Sequence, residues 1–198
     1  VRHHLHDELV RKGLDVRLRC DLRRIERRAD GSLAATIVTD GTTQQLEVNA
    51  VMFATGRQPV TAGLGLEPAG VQIDAHGAVI VDEYSRSSVP NIHAVGDVTN
   101  RIALTPVAIR EGAAVATTLF GGRPVAVDHR DVPHTVFSQP PVGVVGMTEA
   151  DARKAFGMVD IYKTRFRPMK DMLTEDEERV LMKLVVRAED ERVVGVHI

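Results

Sequence analysis

Asp97 is the side chain of this sequence best placed to do chemistry. It closes the run Ser88-Val-Pro-Asn-Ile-His-Ala-Val-Gly-Asp97, and Thr105-Pro106 open an apolar stretch shortly after it. Ile92–Val95 read as a short buried strand. Gly96 removes a side chain where something must approach the backbone closely. Asp97 then sets a carboxylate acceptor at the strand's C-terminal end, where open α/β sheets hold their ligands. Thr105 is placed to cap the next helix, and Pro106 suits that helix's first turn. Bare N–H groups and the positive dipole end therefore face the same place. A carboxylate that accepts from hydroxyls, beside a helix N-terminus, suits a ligand with a polyol tail and a ring that turns anionic. A reduced flavin has both. A plain Gly-Asp turn between strand and helix uses the same residues, and the short motif alone does not separate the two.

Other candidate residues point to quieter roles. Gly63-Leu-Gly65 imitates the start of a dinucleotide loop, but Pro68 stands where the third glycine belongs and no strand leads into a helix there. We read it as a loop. No complete dinucleotide motif and no Cys-x4-Cys pair occur in the sequence. His3, His4 and His6 do not form a metal site on this reading, because His4 and His6 point to different helical faces. They read as a solvated helix surface. Cys20 falls on the apolar side of an alternating strand and reads as a small core residue. His93, His134 and His197 receive no role.

The elements that must position Asp97 follow from periodicity. His3–Lys12 carries Leu5, Leu9 and Val10 on one helical face, with Gly13 as its stop. Val16, Leu18 and Cys20 alternate with arginines as a half-buried strand. Asp30-Gly31 and Asp40-Gly41 are turn signals around a strand at Leu33–Val38. Gln44–Val48 and Ala50–Ala54 complete a small β-meander. A crossing segment, Gln58–Gly63, leads to strands at Val79–Val81 and Ile92–Val95 and to a helix at Pro106–Phe120, stopped by Gly121-Gly122. Val132-Pro133 open a β-rich third part. There Thr148 caps a short helix with Asp151 three residues on, and Gly157 ends it. Strands are expected at Val159–Phe166, Arg179–Val186 and Val193–His197, with Ala188–Arg192 as a charged hairpin connection.

Bulk properties narrow the classes. The 198 residues allow one or two compact domains. With 25 basic against 27 acidic residues, no electrostatic case exists for nucleic acid or an anionic membrane as partner. No apolar run approaches a membrane span, and no secretory signal peptide is read at the N-terminus. One cysteine forbids an internal disulfide and favours a reducing, cytoplasmic setting. The chain starts at Val1 and stops inside the apolar run Arg192-Val-Val-Gly-Val-His-Ile198, so we read it as an internal fragment.

Taken in order and spacing, Ala54-Thr-Gly-Arg57, Ala94-Val-Gly-Asp97 and Leu104-Thr-Pro-Val-Ala-Ile109 resemble the flavoprotein disulfide reductases, the class I pyridine nucleotide-disulfide oxidoreductase family. Val136-Phe-Ser-Gln-Pro-Pro-Val-Gly-Val-Val-Gly146 and Phe166-Arg-Pro-Met-Lys170 resemble its glutathione reductase branch, in the plant-like form found in some bacteria. The similarity runs along nearly the whole chain.

The resemblance implies an α/β plus α+β fold. Partial FAD- and NAD(P)-binding Rossmann-like domains would be followed by the start of the reductase dimerisation domain. Residues 1–58 would be the C-terminal part of the NADPH-binding domain. Residues 59–129 would be the C-terminal segment of the FAD-binding domain, and 130–198 the N-terminal part of the dimerisation domain. It also implies NADPH and FAD as cofactors, glutathione disulfide as substrate, and a homodimer serving redox homeostasis. Asp97 and Thr105 would serve FAD. Gly56 would let the nicotinamide of NADPH approach the backbone, where a strand-ending turn is the plainer reading. Arg57 would brace an interdomain junction, and Thr135 would face the nicotinamide through its backbone.

No catalytic residue is assigned within the chain. The redox dithiol and both nucleotide loops of the family lie upstream of Val1, and its His-Glu pair lies downstream. Ala103 and Ala113 stand where many relatives carry a Glu and an Arg, as they also do in plant-like members. Two other readings share the scaffold or the residues. One is a dihydrolipoyl dehydrogenase or mercuric reductase relative, and the other is a non-catalytic FAD-binding or dimerisation module.

Overall fold

The computed structural model describes residues 1–175 and 177–198. It forms two compact units, one from residues 1–54 with 135–198 and one from residues 55–134. The fold is mixed α/β, and among the described residues it has one three-stranded and one five-stranded sheet.

The first unit opens with helix α1 (Arg2–Arg11), whose end is followed by Gly13 at positive φ. Its buried face is polar. His4 and Glu8 are buried, Leu5 and Leu9 are half-buried and Val10 is exposed, so the centre of the buried face lies beside the expected apolar stripe of Leu5, Leu9 and Val10. The reason lies in what the helix meets. Arg165 donates to His4 Nδ1 at 2.7 Å, His4 Nε2 donates to the Arg179 carbonyl at 2.8 Å, and Lys12 pairs with Glu178. His4 thus leaves the solvated surface to which sequence reading assigned it.

Strands β1 (Cys20–Arg27), β2 (Leu33–Thr39) and β3 (Thr42–Val48) form an antiparallel meander. Asp40-Gly41 make the expected two-residue hairpin loop, with Thr39 opposite Thr42. Two expected strands are absent. Val16–Cys20 is irregular apart from Cys20, which opens β1 and is half-buried rather than core. Ala50–Ala54 also has no ladder, and Met52 and Phe53 are exposed. Alternation marks a segment able to pair, but a strand forms only where a sheet edge offers it backbone partners.

The second sheet contains β4 (His134–Val136), β5 (Val142–Gly146), β6 (Val159–Phe166), β7 (Val180–Arg187) and β8 (Arg192–His197). The pairs β5–β8, β7–β8 and β6–β7 are antiparallel. Helix α3 (Glu149–Phe156) lies on this sheet, where fully buried Ala152 and Val185 pack with Val159. A buried valine of this kind contributes about 1.5–3 kcal/mol. Thr148 caps α3 as its spacing predicted, accepting the Asp151 N–H at 3.2 Å, and Gly157 ends it.

The second unit is built from turns and one long helix. Ile73–Val79 and Arg86–His93 are isolated bridges, so neither Val79–Val81 nor Ile92–Val95 forms a strand. Asp74 explains the first case: its carboxylate accepts the N–H groups of His76 at 2.8 Å and Ala78 at 2.9 Å, folding the segment on itself. Helix α2 (Thr105–Phe120) buries Val107, Glu111 and Ala114, the i, i+4, i+7 stripe of an inward face. It packs against a 3-10 turn at Gly96–Thr99.

One ion pair fastens α3 to its sheet and sets a pH dependence. Glu149 pairs with Lys183 of β7 at 2.6 Å and with Arg153 at 2.8 Å. Lys183 first, then Arg153, holds the Glu149 carboxyl below its ordinary value of 4.5. The folded state therefore favours the charged form. This stabilisation is present above 4.5 and is lost as pH falls through the depressed folded-state value. Glu149→Gln should lower the urea midpoint at neutral pH, and the gap from the parent should close as the solution is acidified. A gap independent of pH would remove the charge from the explanation.

Candidate functional site

The Gly96-Asp97 turn is held from both sides. Val95 arrives extended, and Gly96 then takes φ +72, a left-handed conformation that disfavours any side chain. A Cβ there would lie 3.0 Å from the Cβ of Ala108, in the first turn of α2. The helix itself is thus what approaches the Gly96 backbone. The Gly96 N–H donates to Glu111 Oε2 at 2.6 Å, and Thr99 Oγ1 donates to the Gly96 carbonyl at 2.8 Å.

Glu111 is 1% exposed. Burying a carboxylate is tolerable only when donors replace the lost water. Its Oε1 forms an ion pair with Arg101 Nη2 at 3.0 Å and a hydrogen bond with His129 Nε2 at 2.6 Å. Arg101 in turn donates to Ser85 Oγ at 2.8 Å and to Thr99 Oγ1 at 3.3 Å. Ser85 and Thr99 are also buried. Sequence reading missed this network, although one signal was present: Glu111 is the acidic member of the inward stripe Val107, Glu111, Ala114.

Asp97 itself is exposed, and its Oδ2 accepts from Arg57 Nη1 at 2.8 Å. Both side chains are half or more exposed, at 73% and 50%, so the pair contributes at most ~1 kcal/mol and a ligand can rearrange it. Arg57 is thereby brought to the Asp97 turn. Oδ1 remains available to accept from a ligand hydroxyl.

Gly56 has φ +113, and no atom lies within 4 Å of where its Cβ would stand. Thr55–Pro59, with His76 and Asn100, line an open cleft of about 390 Å³. Space beside a bare backbone suits the close approach of a planar ring.

Thr105 differs from its expected role. Leu104 is the N-cap residue, no side chain caps the helix, and Thr105 is the first helical residue with Pro106 after it. The reason is backbone geometry: Leu104 is extended, and its carbonyl already takes the N–H groups of Val107 and Ala108, both at 3.0 Å. What Thr105 offers a ligand is its backbone N–H at the exposed, positive end of α2. Gly56, Asp97 and Thr105 all belong to the unit of residues 55–134. Thr135 lies exposed in β4, within the other unit.

These features define a class: a mixed α/β protein with an exposed carboxylate at a Gly-Asp turn, packed beside the start of a helix, and an uncrowded backbone at Gly56. The comparisons with known proteins give the family. Residues 1–112 match the pyridine nucleotide-disulphide oxidoreductase family, and residues 132–198 match the dimerisation domain of that family. The chain belongs to the pyridine nucleotide-disulphide oxidoreductases.

Among its relatives, the glutathione reductase of Burkholderia cepacia is 51% identical over 198 residues, covering 100% of this chain and 43% of that protein. The chloroplastic/mitochondrial glutathione reductase of Pisum sativum is 49% identical over 173 residues, covering 87% of this chain and 31% of that protein. The trypanothione reductase of Trypanosoma congolense is 42% identical over 199 residues, covering 100% and 40%. Among solved structures, the HOCl-induced flavoprotein disulfide reductase RclA of Escherichia coli superposes with a TM-score of 0.83 at 29% identity, over 99% of this chain and 44% of that one. The chain thus spans less than half the length of the relatives it matches.

Two glycines separate the steric account from a general glycine effect. Gly96→Ala should destabilise by about 1–3 kcal/mol, because the side chain meets both a left-handed backbone and Ala108. Gly112→Ala sits in α2 with nothing within 4 Å and should stabilise by ~0.5–1 kcal/mol. Urea midpoints of the two variants should move in opposite directions. An unchanged midpoint for Gly96→Ala would show that the turn tolerates a side chain.

Proposed function

We propose that this chain is part of an NADPH-dependent flavoprotein that reduces glutathione disulfide. Residues 1–58 would then close the NADPH-binding domain, residues 59–129 would complete the FAD-binding domain, and residues 130–198 would begin the dimerisation domain of a homodimer. The observation that carries the reading is local. Gly56, Asp97 and the start of α2 belong to one unit, in a chain 51% identical along its whole length to a glutathione reductase. Identities of 51% and 49% to glutathione reductases, against 42% to a trypanothione reductase, favour glutathione disulfide as the substrate.

The cofactor, when bound, supplies the passage of electrons from NADPH to a cysteine pair. The residues of this chain bind and orient it. Asp97 accepts from ribitol hydroxyls. The Thr105 N–H and the positive end of α2 favour negative charge on the ring, by about 0.3–1 kcal/mol and up to ~2 kcal/mol when partly buried. Gly56 keeps side-chain bulk away from the nicotinamide. Among the described residues no helix is long and apolar enough to cross a membrane.

Two proteins test the proposal. The intact protein should oxidise NADPH when glutathione disulfide is added, whereas the 198-residue chain alone, with only Cys20, should not, even with FAD supplied. In the intact protein, Asp97→Ala should lose flavin on gel filtration, by roughly ten- to hundredfold in affinity, while Ala113→Arg and Thr135→Ala keep it. Turnover with another disulfide but none with glutathione disulfide would overturn the substrate. A full flavin complement in Asp97→Ala would overturn the assignment of the site.

A further inference from the structure

We infer that Glu111 and Thr99 are positioning residues for Asp97, acting through the two polar groups of Gly96. This rests on the reading of Asp97 as a flavin contact. Neither residue is exposed enough to touch a ligand as Asp97 does, since both are buried beneath the turn. Their effect is on the backbone that aims the carboxylate. Glu111 holds the Gly96 N–H, and with it the peptide plane entering the turn. Thr99 holds the Gly96 carbonyl, and with it the peptide plane that leads directly into Asp97. With both planes fixed and Ala108 close against Gly96, the backbone holds the Cα–Cβ bond of Asp97 in one direction.

The network is closed by Arg101, which touches Glu111, Thr99 and Ser85 at once. His129 adds a second hydrogen bond to Glu111, on the oxygen that faces Arg101. The set of partners makes the carboxylate specific. Hydrogen bonds from the Gly96 N–H and from His129 Nε2, and the ion pair with the Arg101 guanidinium, converge on two oxygens that only accept. A glutamine of the same shape has one acceptor oxygen and one donating NH2. Facing its oxygen toward Gly96 turns the NH2 onto the Arg101 guanidinium, and the reverse turns it onto the Gly96 N–H. Either choice sets a donor against a donor inside a buried site, where an unmade hydrogen bond is costly. The turn must shift to relieve it, and Asp97 shifts with it.

The test uses the intact flavoprotein, stripped of FAD and titrated with it, at a temperature where circular dichroism shows each variant folded. Glu111→Gln should raise the FAD dissociation constant about tenfold or more and alter the bound-flavin spectrum. Thr99→Val, which keeps the shape and removes the donor, should weaken FAD binding in the same direction. Thr99→Ser, which restores the donor, should recover it. The Thr99 pair decides the matter if Glu111→Gln does not fold. Parent-like FAD affinity and spectrum in folded Glu111→Gln, or equal affinities for Thr99→Val and Thr99→Ser, would overturn the inference. A parent protein that takes up no FAD would instead overturn the functional reading on which it rests.

Discussion

A carboxylate with 1% exposure cannot stay charged unless protein donors replace water, and this requirement at Glu111 organises the unit of residues 55–134. To satisfy it, the chain brings four segments together. Gly96 comes from the turn, Arg101 from the loop after it, Glu111 from the middle of α2, and His129 from the segment beyond the helix. Regular strands are lacking in this unit among the described residues, so backbone ladders do not define its shape. Side-chain carboxylates take over that task. Asp74 folds the loop before Val79, Asp82 accepts the N–H groups of Tyr84 and Arg86, and Glu111 fixes Gly96.

On the proposed function, buried and exposed acids divide the labour. Glu111 has its oxygens fully engaged and serves geometry. Asp97, one residue past the glycine that Glu111 holds, is exposed and loosely paired with Arg57. A ligand can take over the second acid without disturbing the first. The cost of shaping the turn is met inside the fold, so little ordering is left for binding, which is the general benefit of preorganisation.

How much of this was legible in the sequence depends on the range of the interactions. Local signals read well: the Thr148 cap and the Asp40-Gly41 hairpin loop need only neighbours a few residues away. Val16–Cys20, Ala50–Ala54 and Ile92–Val95 failed as strands because pairing depends on an edge that alternation cannot reveal. The polar burial of His4 failed for a similar reason, since its partners Arg165 and Arg179 are remote in sequence. At the site, Gly96 and Asp97 were visible as a motif. Thr105 was expected as a cap, but Leu104 holds the N-cap position and Thr105 is the first helical residue. Glu111 had a visible cue in its place on the inward stripe of α2, and its donors had none. His129 lies 18 residues from it, joined only by the fold.

Amide hydrogen exchange at Gly96 tests the central claim most directly. If the buried carboxylate of Glu111 holds that N–H, the Gly96 amide should exchange only through opening of the whole 55–134 unit, as slowly as the amides in the middle of α2. Exchange at the rate of an exposed loop, with α2 still protected, would mean that the turn is not held and that Glu111 does not organise the site.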